Sequence, residues 1–275
     1  MNQKSGKKNS STGTQANKNC HGIRNRLSRN KYIISSVVVI LCFIFVLIYM
    51  TEGRRASVKS QETSDTIIRK IISLKIRKLP DDINDADFAK ITQLNLSGQN
   101  VSDISLLEKF TGLKELNIVD ISISGLEPLA GLTSLQTLSI TNTPVRSLEP
   151  VRNLKNLQML YLENTKIEDI GPLNGLANLI SLQLIGSRFS NLEPLKGLQE
   201  LRMLYLNNTQ VSDLRPLEGL TNLHVLNLRN TKIKNLEPLK KLEYLQVLDI
   251  EGCKNISDEQ VDALKRVLPD LAVSK

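Results

Sequence analysis

One stretch decides the fold: Leu201-Arg202-Met203-Leu204-Tyr205-Leu206-Asn207-Asn208-Thr209-Gln210-Val211-Ser212-Asp213-Leu214-Arg215-Pro216-Leu217-Glu218-Gly219-Leu220-Thr221-Asn222. Its pattern returns at a fixed step of 22 residues. The Leu-x-Leu unit at Leu204 and Leu206 has counterparts at Leu94 and Leu96, Leu116 and Ile118, Leu138 and Ile140, and Leu160 and Leu162 upstream or, further along, at Leu182 and Leu184, Leu226 and Leu228, and Leu248 and Ile250. Eight copies without a slip mean a solenoid, in which each repeat contacts only its neighbours.

Counted from Ile91, Leu113, Leu135, Leu157, Leu179, Leu201, Leu223 and Leu245, apolar residues fall at positions 1, 4, 6, 11, 14, 17 and 20. The step from 4 to 6 is a strand signal, because alternate side chains share one face. The later step of three suits 3₁₀ turns or an extended path rather than an α-helix. Pro128, Pro150, Pro172, Pro194, Pro216 and Pro238 all occupy position 16, where proline forbids a regular α-helix. Each repeat is therefore one short strand, a turn and a tight return, and stacking makes a parallel sheet about 34 Å long at about 4.8 Å per strand.

These residues resemble the leucine-rich repeat family, in its 22-residue, internalin-like class of bacterial surface proteins. The match covers residues 91–255. The resemblance implies an α/β horseshoe with its parallel sheet on the concave face, 3₁₀ or extended turns on the convex face and helical caps. It does not specify a ligand, since one scaffold hosts many functions. The family often carries a buried Asn at position 9. Here that place holds Thr143, Thr165, Ser187, Thr209 and Thr231, whose hydroxyls can bond buried backbone groups, and Cys253 as a small buried variant. Ile121 cannot, so the turn of repeat 2 is expected to be the least regular.

An open stack needs caps. Ile67, Ile68, Ile71, Ile72 and Ile76 recur at helical spacing, with Pro80 expected to stop that helix. A short helix starting at Asn84 or Asp85 then leads through Phe88 into Ile91, which gives an N-terminal cap over residues 65–90. The acids Asp81, Asp82, Asp85 and Asp87 lack the spacing and the glycine of a calcium loop, and no metal is assigned to them. Ser257-Asp258-Glu259-Gln260 has the form of a capping box, with Val261, Leu264, Val267 and Leu268 following at helical spacing, so residues 256–275 read as a C-terminal capping helix.

Residues 32–50 carry no charge, and Ile33 to Met50 would reach about 27 Å as a helix, enough to span a bilayer. A cleaved signal peptide fits less well: the run is long and no small-x-small site follows it. The chain's net charge of +8 equals that of residues 1–31 alone, which hold eight cations and no acid. That tail, rich in Ser, Asn and Gly, reads as disordered and cytoplasmic, which places the repeats beyond the membrane after a stalk over residues 51–64. Arg54, Arg55 and Lys59 follow the apolar run and weaken the bias. The remaining chain is charge-balanced and gives no support to nucleic-acid binding.

Chemistry is sparse. The chain has two histidines, His21 and His224, and three cysteines, Cys20, Cys42 and Cys253, none placed for a bridge. No nucleophile elbow, phosphate loop or zinc motif occurs, so neither catalysis nor a cofactor is expected. Interest falls on positions 3, 5 and 7, which point away from the core. Repeats 1 to 3 are polar there at Gln93, Asn95, Ser97, Glu115, Asn117, Thr137, Ser139 and Thr141. From repeat 4 onward position 3 carries Met159, Met203, Val225 and Val247, position 5 carries Tyr161 and Tyr205, and position 7 adds Ile185, with Arg229, Glu163 and Glu251 as a charged rim. Such a patch marks a surface for a protein partner, although strands favour Val, Met and Tyr on their own account. A runner-up is a regulatory subunit of a signalling enzyme such as a phosphatase, with the repeats facing the cytosol.

Overall fold

The computed structural model describes residues 62–275. The tail, the apolar run over 32–50 and nearly all of the stalk lie outside the described residues. Among the described residues no helix is long and apolar enough to cross a membrane.

Nine strands form one parallel sheet in chain order: β1 Gln93–Asn95, β2 Glu115–Val119, β3 Thr137–Thr141, β4 Met159–Glu163, β5 Ser181–Ile185, β6 Met203–Tyr205, β7 Val225–Asn227, β8 Val247–Asp249 and β9 Ala272–Ser274. From β1 to β8 each residue pairs with the one 22 places on, as in Leu160 with Leu182 and Leu182 with Leu204. The opposite wall is 3₁₀ helix, short at Glu193–Leu195 and Arg215–Leu217 and longer at Ser105–Lys109 and Glu237–Lys241. The step of three in the sequence is the step of its hydrogen bonds. The Leu195 amide donates to the Leu192 carbonyl (2.9 Å), Leu198 to Leu195 (3.0 Å) and Leu201 to Leu198 (3.1 Å). The same residues that face the core thus satisfy their backbone locally, which buried peptide groups require. Leucines at positions 4 and 6, such as Leu204 and Leu206, are wholly buried in a continuous core.

After each strand the backbone turns left-handed at position 8. Asp120, Asn142, Asn164, Asn208 and Asn230 have φ between 52 and 61°, and Gly98, Gly186 and Gly252 fill the same place in the other repeats. Only Gly, Asn and Asp visit this region readily, and position 8 carries nothing else. The amides also form a ladder: Asn142 donates to Asp120 (2.7 Å), Asn164 to Asn142 and Asn230 to Asn208 (2.9 Å each).

Position 9 departs from expectation. The hydroxyls of Thr209 and Thr231 donate to the Leu206 and Leu228 carbonyls (2.7 Å each), and the Cys253 thiol reaches the Leu228 carbonyl at 3.0 Å. Those of Thr143, Thr165 and Ser187 are buried with no partner. They follow five-residue strands, whereas the bonded ones follow three-residue strands. Nor is repeat 2 irregular. β2 is a full five-residue strand, Asp120 makes the same turn, and Ile121 is buried at 3% exposure, since an apolar side chain in this slot leaves no polar atom to satisfy.

The caps correct three further expectations. Helix α1, Ser64–Ile76, ends at a left-handed Arg77 (φ 57°) and not at Pro80, which instead opens a 3₁₀ turn over Pro80–Asp82. Ile67, Ile68 and Ile72 are buried, and α2, Asp85–Ala89, starts from a reciprocal capping box between Asn84 and Asp87. At the far end α3, Asp258–Val267, has only half a capping box. Ser257 accepts from the Gln260 amide, while the Gln260 side chain donates away to the Lys234 carbonyl at 3.2 Å. Val267 stays half exposed, and Leu271, two residues beyond Pro269, is buried. The segment then returns to the sheet as β9, pairing Leu248 with Val273, so the C-terminal cap is a helix plus a ninth strand.

Candidate partner-binding face

The sheet turns one face to the core and the other to solvent. Parallel register converts the repeat into three rows on the solvent face. Along position 5, Tyr161 pairs with Gln183, Gln183 with Tyr205, Tyr205 with Asn227 and Asn227 with Asp249. The two tyrosines therefore point the same way two strands apart, about 10 Å, and both are half-buried. Along position 3, Met159, Ser181, Met203, Val225 and Val247 follow one another in register. Met159, Met203 and Val225 are half-buried, and Val247 is 43% exposed. Position 7 sets Ile185 beside Glu163 across the β4–β5 ladder. The structure thus brings Met159, Tyr161, Ile185, Met203, Tyr205, Val225 and Val247 onto one surface.

The rim is less free than its composition suggests. Arg229 is ion-paired to Glu251, and the Asn227 side-chain amide donates to Asp249 (3.0 Å). The Asn227 and Asp249 side-chain oxygens in turn accept from the Arg229 and Glu251 backbone amides (3.0 Å each). Arg229 offers a partner a neutralised pair rather than an isolated cation.

One exposed ring was missed by sequence reading. Tyr244 is 58% exposed and stacks on His224, with centroids 5.9 Å apart and planes at 11°. The signal was available. Tyr244 replaces the asparagines that close three earlier repeats, where Asn156, Asn178 and Asn222 donate to carbonyls of the turn behind (2.8, 2.7 and 2.9 Å). Among the described residues no group of three or more His, Cys, Asp or Glu side chains is arranged to hold a metal ion. Asp87 is buried instead against Lys78 (2.7 Å), which holds its carboxyl below the usual range, with the Asn84 amide adding to the effect.

Stacked 22-residue coils with a parallel sheet on one wall and proline-bearing 3₁₀ turns on the other define the leucine-rich-repeat class. A family profile described as leucine-rich repeats (2 copies) matches residues 155–199, 199–241 and 221–266. Among solved structures the chain is similar to an internalin, InlF, of Listeria monocytogenes str. 4b F2365, at 26% identity and a TM-score of 0.71, covering 79% of this chain and 66% of that one. It is also similar to internalin C2 of the same strain, at 28% identity and a TM-score of 0.67, covering 78% of this chain and 97% of that one. A leucine-rich-repeat protein of Leptospira interrogans shares the fold at 22% identity and a TM-score of 0.65, over 70% of this chain and 51% of its own. No curated protein matches the chain.

Proposed function

We propose that this chain is a membrane-anchored, non-catalytic recognition protein whose solenoid lies outside the membrane and docks another protein on the solvent face of its sheet. The observation that carries the reading is the cluster of Met, Tyr, Val and Ile side chains spread over β4–β8 on a rigid, fully paired sheet. Contiguous apolar surface of this kind marks interaction sites, and Tyr and Met are enriched at interfaces. The likeness in fold to the internalins supports a recognition role in adhesion or at the cell envelope. The anchor rests on the uncharged run over 32–50, and the outward orientation on the cationic tail before it.

A photo-crosslinking residue placed at Gln183, between the two tyrosines, tests the face. Adducts are expected from Gln183 in intact cells, absent from a control site at Lys196 on the opposite wall, and lost when Tyr161→Ser and Tyr205→Ser are combined. Adducts that survive the double substitution, or that arise only from Lys196, would overturn the assignment of the face. Orientation has its own readout: protease added to unlysed cells digests an outward solenoid and spares an inward one.

A further inference from the structure

The solvent face has a second half with different chemistry. Across β1–β4 it forms a cleft of about 500 Å³ lined by side chains of Gln93, Asn95, Glu115, Asn117, Ser139 and Tyr161. That size falls within the range of small-ligand sites. Apolar anchors are scarce: Tyr161 at the far wall is the one aromatic ring, and the leucines beneath the strands belong to the core.

The two charged side chains of the lining each hold a neutral partner. The Lys75 ammonium donates to the Gln93 carbonyl (2.6 Å), and Glu115 accepts from the Gln93 amide (2.9 Å). The middle of the cleft is the reverse. Register places Asn95, Asn117, Ser139 and Tyr161 side by side along a single row on four consecutive strands. Asn95 uses its oxygen on the Ser97 amide and hydroxyl (2.9 and 2.6 Å), which leaves its amide nitrogen over. Asn117, Ser139 and the Tyr161 hydroxyl make no side-chain hydrogen bond among the described residues, and the Asn117 oxygen is enclosed without a partner. Further along the same row, Asn227 is spent on Asp249. The enclosed Asn117 oxygen costs free energy while unpaired, and a ligand hydroxyl placed against it would supply the missing bond.

From this arrangement we infer that the cleft binds an oligosaccharide. Amides and hydroxyls repeat there about every 4.8 Å, each both donor and acceptor, which suits a chain of hydroxyl-bearing rings lying across the strands. The Tyr161 ring supplies the flat apolar wall against which the C–H face of a sugar packs. An extended peptide is disfavoured, because the strand backbones under the cleft are bonded to each other and the row offers no apolar pocket for an anchoring side chain. The cleft meets the protein-docking patch at Tyr161, and the patch extends from there toward β8.

Ligand-observed saturation-transfer NMR on the full chain, held in a detergent without a sugar headgroup, tests it with cellotetraose, maltotetraose, mannotetraose and chitotetraose as probes. Transfer to at least one sugar is expected, with binding weakened roughly tenfold by Asn117→Leu and by Ser139→Val, the latter a strand-compatible change that guards against misfolding. Tyr205→Ser should leave sugar binding unchanged, which separates this site from the protein patch. No transfer to any of the four sugars, or transfer indifferent to both cleft variants, overturns the inference. So does binding of tetraserine or tetra-alanine in their place, lost with the same two variants.

Discussion

At position 8 of every repeat one residue carries the burden of reversing the chain out of the strand. Asn164, at φ 52°, holds a conformation that costs an ordinary L-residue roughly 1–2 kcal/mol, and its amide is one rung of the ladder to Asn142. Asn164→Ala is therefore expected to lower unfolding free energy by about 1–2 kcal/mol in urea titration, and Asn164→Gly by less, since glycine keeps the backbone and loses only the rung. Leu204 makes the contrasting case, because it acts through volume. It is wholly buried in the core, so Leu204→Ala leaves a cavity and should cost roughly 2–5 kcal/mol by the same measurement. The two positions also differ in how plainly they read from the chain. A leucine at position 4 announces its burial by spacing alone. The alternation of Asn, Asp and Gly at position 8 was equally periodic, but its meaning lies in backbone geometry and emerges only with the turn.

Among the elements, the caps show where periodicity stops helping. α1 and α2 close the first coil through packed isoleucines and through Asp87, which is buried against Lys78 while bonding the Asn84 amide. Lys78 and Asn84 lower the Asp87 pKa, so its contribution to folding is complete above the usual carboxylate range and is lost as pH falls through the depressed folded value. Asp87→Asn should accordingly raise hydrogen exchange in α1 and α2 at neutral pH, with the difference from the parent shrinking as the solution is acidified below that range. A gap that persists in acid would show that shape, and not charge, holds the cap. The strand β9 was illegible for a different reason. Ala272-Val273-Ser274 is short and falls outside the 22-residue step, and the exposed edge of β8 is what recruits it. Pro80, by contrast, was legible as a break, yet the helix had already ended three residues earlier at a left-handed Arg77.

For the whole molecule, function follows from register. Because every repeat is the same length, any property that varies at positions 3, 5 or 7 becomes a stripe across the sheet. Two stripes result, an apolar one over β4–β8 and an amide-and-hydroxyl one over β1–β4, and they meet at Tyr161. Tyr161→Ser with Tyr205→Ser is expected to abolish crosslinking from Gln183 while leaving the thermal unfolding midpoint within a few degrees of the parent, since neither ring is part of the core. Loss of crosslinking together with a collapse in stability would trace the effect to folding instead. The cleft variants belong to the same scale, because they test whether the other stripe is an independent site.

The chain alone determined the coil, its handoff from strand to 3₁₀ turn, and the side of the sheet each residue occupies. These follow from the alternation of side chains along a strand and from 3₁₀ bonds three residues apart, repeated at one length, so local spacing encodes them. It could not say which surface groups are already used. Arg229 against Glu251, Asn227 against Asp249, and Asn117 with no partner at all are relations with neighbours on adjacent coils, 22 residues away or absent altogether. Distance through space, and not order along the chain, decides whether a polar side chain stabilises the protein or remains open to another molecule.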